Sequence, residues 1–529
     1  MKLNHSYQFI ECSPAAARAI KEACLFQDKT IYLQYRNQGY TTFQAENAAT
    51  VNLTVTKSNG ITIPAGFLNL PAVKEAIKQN PSIKIEKPTQ PEKDLAVDLD
   101  DTLQSLGLDR CEHQINALNK LFDEMRGCVV LPTGTGKSNI IALYIKHFPG
   151  KTFLVMVPRI EILNQMRDTL KFVLGETIGQ LGGGKKDKRR VTVGIYKTTL
   201  SGEHDMYLKS VDGLIIDESH LCPGNQVELN NLCIEASLRA AFTATPHTDG
   251  RQYYTYSVVG PEIYREPRAQ LEDKNIILRP TIYYITYKHN NKSPYYQDLG
   301  LRGDTSSHAF GGYVRGKGYR QISGGFGPNP LDVEHYKTCC TENYSRNQII
   351  LDLVKAFVEW EARTGPGIVF TGYVDHSNKL NSDLLDVGIR SATVSSKTKG
   401  TERQKIYDKA KQSCAGLAGV NNPNSLDVIV AADLLNAGVD IRSLMFAMLT
   451  EVTQNPQTTI QRIGRILRTP RGSEQKKRAI VVAFVDEESV YYSKRSDSLK
   501  TLLKEEFRKS QHVHITPEEL IEKFKNNTV

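Results

Sequence analysis

Residues 131–138 read LPTGTGKS, and this stretch decides the fold. It follows the apolar run Cys128-Val129-Val130-Leu131 and precedes the amphipathic run Asn139 to Lys146. The local order is therefore strand, loop, helix. Gly134 and Gly136 let the backbone turn its N–H groups inward, and the helix behind the loop adds its partial positive charge. Such a loop grips phosphate. Thr133, Gly134, Thr135, Gly136, Lys137 and Ser138 are the candidate nucleotide ligands. Lys137 would reach the outer phosphates and the Ser138 hydroxyl would ligate magnesium. Leu131 stands where the strict form of the motif has its first glycine. Alone, then, the stretch also reads as a glycine-rich turn with a chance lysine.

A second element narrows this. Leu214-Ile215-Ile216 is a short β-branched run, and Asp217-Glu218-Ser219-His220 follows it. A carboxylate at a strand end can hold magnesium, which makes Asp217 the second metal candidate. Its neighbour Glu218 can orient and deprotonate an attacking water. The plain alternative is a solvated acidic turn after a buried strand.

GTGKS, DESH at 217–220 and QRIGRILR at 461–468 together resemble the superfamily 2 helicases of the DExH type. Further blocks stand in that family's order. Gln114 in CEHQINAL resembles the residue that reads adenine. VPRIEILNQM (157–166) and VGIYKTTL (193–200) resemble blocks that touch a nucleic-acid backbone, through Arg159, Gln165 and Thr198. FTATPHTDG (242–250) resembles the block that couples hydrolysis to strand movement, through Thr243 and Thr245 with His220. IVFTGYVDHSNKL (368–380), with Tyr373 as a nucleic-acid contact, resembles the opening of the second lobe. VIVAADLLNAGVDI (428–441) resembles a later block, with Gly438 and Asp440 near the nucleotide; Ala432 stands where that block usually has threonine. The resemblance covers roughly 105–486.

Gln461, Arg465 and Arg468 are spaced i, i+4 and i+7, which puts them on one helix face. Spacing alone leaves a solvated basic face open. Their position after the 428–441 block favours arginines that offset charge on the γ-phosphate, a task suited to a planar, permanently charged fork.

Within the superfamily, TATP followed by Asp249-Gly250, the GRILR ending at 464–468, IGQLGGG at 178–184 and ITIPAGFLNLPAVKEAI at 61–77 resemble phage UvsW-type branch-migration helicases, a RecG- and XPB-like branch. That resemblance implies an α/β fold: two tandem RecA-like domains with parallel sheets, a small N-terminal α+β domain and an inter-lobe insertion. It implies ATP and Mg2+ as cofactors. It implies ATP-driven unwinding or branch migration of forked, junction or duplex DNA in phage recombination, repair or replication. Phage or host recombination and replication proteins are the expected partners. The alternatives are an RNA helicase or transcript-release ATPase, and the motor subunit of a restriction-type complex.

Composition agrees. The chain has 529 residues, with 40% hydrophobic and 24% charged content, and length alone suggests about three or four domains. Net charge is +9, which fits a polyanion partner. No apolar run is long enough for a membrane helix, and the N-terminus lacks a signal-peptide pattern. Nine cysteines without a C-x-x-C pair suggest free thiols in a reducing cytoplasm.

The expected domains are a substrate-recognition module at 1–90, the first helicase domain at 91–260, an insertion at 261–345, the second helicase domain at 346–490 and a helical tail at 491–529. In the first module, Thr30 to Tyr35 and Val51 to Val55 suggest strands, while Pro14 to Cys24 and Pro71 to Lys78 suggest helices. The Gly- and Tyr-rich insertion carries Arg315 and Lys317, which could stack bases and neutralise phosphates or sit on a plain surface loop. LGGGKKDKRR (181–190) reads as a solvated hairpin tip.

Overall fold

The computed structural model describes residues 5–80, 83, 85, 99–106, 111–286, 337–395, 397–412, 425–432, 441, 443–450, 456–467, 478–485 and 490–529. The chain divides into two compact units between Pro267 and Arg268. Each is described by itself.

The first unit opens with β1 (Tyr7–Glu11), β2 (Phe26–Gln27), β3 (Thr50–Val51), β4 (Val55–Lys57) and β5 (Gly60–Pro64). β1, β5 and β4 form an antiparallel sheet in that order, while β2 and β3 pair separately. Helices Pro14–Cys24 and Pro71–Lys78 bury Ile20 and Val73 against Ile10, Ile61 and Phe67. Two expected strands are corrected. Thr30 to Tyr35 lies in helix Lys29–Asn37, because the Asp28 side chain caps it by accepting from the N–H groups of Thr30 and Ile31. Val51 to Val55 is broken because Asn52 Oδ1 accepts from the Thr54 N–H at 2.9 Å, turning the backbone away from a ladder.

The rest of this unit is a RecA-like lobe. Its strands are β6 (Arg126–Val130), β7 (Phe153–Val157), β8 (Gly179–Gly182), β9 (Lys185–Asp187), β10 (Val191–Ile195), β11 (Gly213–Asp217), β12 (Leu238–Thr243) and β13 (Glu262–Arg265). They form one sheet in the order β13-β6-β12-β11-β7-β10-β8-β9. Every pairing is parallel except the β8–β9 hairpin. All five residues of FLVMV in β7 are buried, as a strand covered on both faces requires. Gly183 and Gly184 take positive φ in the hairpin turn, so LGGGKKDKRR forms the expected tip.

The second unit is also RecA-like. Its strands are β14 (Pro280–Thr286), β15 (Gly367–Thr371), β16 (Ser391–Val394), β17 (Val428–Ala432), β18 (Phe446–Leu449), β19 (Ala479–Val485) and β20 (Gln511–Ile515). They are ordered β16-β17-β15-β18-β19-β14-β20, and each pairing is parallel.

Three expected boundaries change. β13 pairs with β6, so the first sheet extends beyond residue 260. β14 pairs with β19 and β20, so 280–286 belongs to the second sheet and not to an insertion. The tail is not only helical: β20 adds the edge strand next to β14, and helix Pro517–Lys525 buries Leu520 and Phe524 in the second core. Arg315 and Lys317 lie outside the described residues. Among the described residues, no helix is long and apolar enough to cross a membrane.

Candidate functional site

In the first lobe the candidate residues collect at the carboxyl ends of neighbouring parallel strands, the usual ligand edge of an open α/β sheet. Along β6, β12, β11, β7 and β10 these ends carry the 131–136 loop, Thr243, Asp217, Arg159 and Thr198 respectively. One half of the edge thus holds the nucleotide candidates and the other half the expected backbone contacts.

The loop is built for close approach. Gly134 and Gly136 have φ of +89° and +83°, a region open to glycine. A Cβ on Gly136 would stand 2.4 Å from Gln114 Nε2. That amide donates to the Thr135 carbonyl at 2.9 Å, and His113 Nε2 donates to the same oxygen at 2.9 Å. Gln114 therefore braces the loop itself, whatever it does for adenine, and His113 is a brace that the sequence motif did not flag. Thr135 Oγ1 donates to the Pro132 carbonyl at 2.8 Å. Lys137 is the first residue of helix Lys137–Lys146. Its Nζ donates to the Leu131 carbonyl at 3.2 Å, inside the loop. Ser138 follows it, half-buried. Thr133 Oγ1 is buried without a hydrogen-bond partner among the described residues.

Asp217 ends β11 and accepts the Glu218 N–H at 3.0 Å. Burial pushes its pKa up to about 7; the Glu218 carboxylate adds to this and the Lys137 charge opposes it. Such a carboxylate ionises readily only beside added positive charge, so Ser138 and Asp217 fit a divalent cation. Glu218 holds a left-handed backbone, φ +49°, which is costly for a non-glycine residue and typical of functional strain.

Glu218 Oε2 lies 3.6 Å from His220 Nδ1, and that nitrogen lies 2.9 Å from Thr243 Oγ1. Thr243 Oγ1 also accepts from the Thr245 N–H at 3.1 Å. His247 Nε2 donates to the His220 carbonyl at 2.6 Å. Burial lowers the His220 pKa to about 4, so its ring is neutral at ordinary pH. The sequence singled out His220, Thr243 and Thr245, which the structure brings together; it missed His247.

Arg159 sits at the N-cap of helix Ile160–Leu174, half-buried, with Gln165 exposed one turn on. Thr198 is half-buried in the short helix Tyr196–Thr199. In the second lobe Tyr373 takes the place matching Arg159, at the N-cap of helix Val374–Asp386 after β15. Gln461 and Arg465 are buried on helix Pro456–Ile466, as is Arg462, whose guanidinium lies over the Phe370 ring. That burial removes the solvated-face alternative for the described pair. The described helix runs to Ile466 and carries Gln461 and Arg465 of the expected face. Arg468, Gly438 and Asp440 are outside the described residues.

Comparison with known proteins follows the two lobes. Residues 108–248 match the family "Type III restriction enzyme, res subunit", and 346–470 match "Helicase conserved C-terminal domain". A relative named "DNA 3'-5' translocase XPB2", from Sulfurisphaera tokodaii, is 24% identical over 72% of this chain and 82% of its own length. "Putative helicase 22" of a Sulfolobus islandicus filamentous virus is 25% identical over 70% of this chain and 63% of its own length. In fold, Saccharomyces cerevisiae Dbp5 bound to RNA and ADP BeF3 superposes with a TM-score of 0.54 at 14% identity, covering 81% of this chain and 96% of that one.

Proposed function

The chain belongs to the superfamily 2 helicases, which hydrolyse ATP, and from that premise we propose that it is a DNA-stimulated motor that unwinds or branch-migrates forked and junction DNA. The observation that carries this is the shared carboxyl edge: the phosphate loop, Thr243 and Asp217 end adjacent strands, and Arg159 and Thr198 end the next two. On this reading nucleotide chemistry and strand grip would share one sheet. Support for DNA comes from the relatives named as DNA 3'-5' translocase or helicase. From those names we take the polarity as 3′-to-5′. A viral relative supports a phage or viral setting.

In this mechanism Lys137 and the loop N–H groups bind the β- and γ-phosphates. Magnesium held by Ser138 and Asp217 would offset phosphate charge. Glu218 orients the attacking water and accepts its proton, with its carboxylate kept in place beside His220. By the family resemblance, Gln461, Arg465 and Arg468 would offset charge on the γ-phosphate. Phosphoryl transfer asks for little beyond this positioning and charge. Thr243, shared by His220 and Thr245, would pass the change to the strand contacts Arg159, Gln165 and Thr198 on the same sheet, and Tyr373 would be a further strand contact by the family resemblance. Differential affinity of two states for ATP supplies the bias.

ATPase and strand-displacement rates on matched fork, four-way junction, duplex and RNA substrates test this. Preference for forks and junctions is expected. Equal rates on all four would remove branch migration and leave the motor. A second reading, the motor of a restriction-type complex, draws on the family matched at 108–248. A nicking assay on supercoiled DNA with the purified chain and its co-purifying subunits separates the two.

A further inference from the structure

We propose that the N-terminal module is a positioning element for the hydrolytic step, acting on Glu218 through Asp249 and Gly250. This rests on Glu218 being the carboxylate that handles the attacking water.

The module does not hang from a tether. At one place it closes directly on the 243–250 turn. The Lys29 N–H donates to the Asp249 carbonyl at 3.0 Å. Gly250 has φ +94°, and a Cβ there would stand 1.6 Å from the Gln27 carbonyl oxygen. Phe26 stacks on Tyr253 with ring centroids 5.3 Å apart and meets Tyr254 edge-on at 5.1 Å. The Tyr254 hydroxyl donates to Asp28 Oδ2 at 3.3 Å. Asp28 is itself the N-cap of helix Lys29–Asn37, so the anchor is the root of that helix.

The other end of the turn leads to the catalytic carboxylate. Asp249 lies 3.8 Å from His247 Nδ1 and is held by Arg251 at 2.6 Å. His247 fixes the His220 carbonyl at 2.6 Å, and His220 Nδ1 stands 3.6 Å from Glu218 Oε2. Asp28, Thr243, His220 and His247 are all buried. Close-packed interiors transmit displacement rather than absorb it. A continuous contact series therefore runs from Gln27 to Glu218. It bypasses the phosphate loop, so it bears on turnover and leaves nucleotide affinity alone.

The test uses the whole chain with saturating fork DNA. Gly250→Ala should lower kcat for ATP hydrolysis by about 10- to 100-fold, the scale on which a misplaced catalytic group acts. KM for ATP and the affinity for fluorescent mant-ADP should stay within about 2-fold, because uniform binding is untouched. Tyr254→Phe removes one hydrogen bond and should lower kcat by about 2- to 10-fold. A double mutant of Gly250→Ala with His247→Gln should be no slower than the worse single mutant, since both act on one path. A merely structural latch would lower the melting temperature and leave kcat per folded molecule unchanged. Should Gly250→Ala not fold, Tyr254→Phe decides by the same split. Glu218→Gln separates the two readings. If it still turns over, the assignment of Glu218 fails. If it is inactive while folded Tyr254→Phe and Gly250→Ala keep wild-type kcat, the positioning proposal is overturned.

Discussion

His220 Nδ1 lies 2.9 Å from Thr243 Oγ1, joining the ends of two adjacent parallel strands, β11 and β12, beside the phosphate loop. That hydroxyl also takes the Thr245 N–H, so one side-chain oxygen serves both strand ends.

Thr243→Val keeps the shape and removes that oxygen. A buried group left unpaired costs about 1–3 kcal/mol, so the melting temperature should drop modestly. Strand displacement should fall more than ATP hydrolysis, since the link between them is what is lost. A parallel fall of both rates would sink the coupling role.

Lys137→Ala removes the loop's cation. Loss of one preorganised charge at a transferring phosphate typically costs about 100- to 1,000-fold in kcat. DNA-stimulated ATPase should fall by that order while DNA binding persists in a filter or anisotropy assay. An unchanged ATPase rate means the loop does not serve the nucleotide.

Asp217 gives a pH signature in nucleotide-free protein. Its folded pKa, about 7, exceeds the ordinary 3.8. The stability it contributes is therefore fully present below the unfolded pKa and lost as pH rises through the folded one. Asp217→Asn should flatten this, so its melting temperature should gain on wild type between about pH 4 and about pH 8. Calorimetry in EDTA measures the difference. A mutant-minus-wild-type difference that stays flat or falls with rising pH contradicts the assignment. Magnesium with ADP should recover the wild-type loss.

Arg239 is fully buried, with its guanidinium on the Ala236 and Cys233 carbonyls, Asn230 Oδ1 and Ser6 Oγ. Burial lowers its pKa to about 10, which leaves it charged at neutral pH. Arg239→Met strands those acceptors and should cost about 3 kcal/mol. Limited proteolysis should then cut within residues 5–80 sooner than in wild type, because Ser6 belongs to the N-terminal module. An unaltered denaturation midpoint would count against the clamp.

Much of this was legible along the chain. Helices Pro14–Cys24 and Pro71–Lys78 match the expected spans, because capping and apolar spacing are local signals. Thr30 to Tyr35 misled because alternating side chains also fit a helix once Asp28 caps it. β20 was hidden within a charged tail, since a strand paired only with β14 needs little local β character. His113 and His247 escaped notice because each works through a backbone carbonyl, at Thr135 and His220, and carbonyls carry no residue code.

The sequence by itself determined the glycine loop at 131–136, the Asp217–Glu218 pair at a strand end, the order of the family blocks and the alternation of strand and helix. These depend on glycine conformations, periodicity and spacing within short windows, which the local chain dictates. Only the tertiary structure decided which strand ends are neighbours, that Gln461 and Arg465 are buried, and that Gln27 meets Gly250. Those facts depend on contacts between residues far apart in the chain, where close packing and not local preference selects the partner.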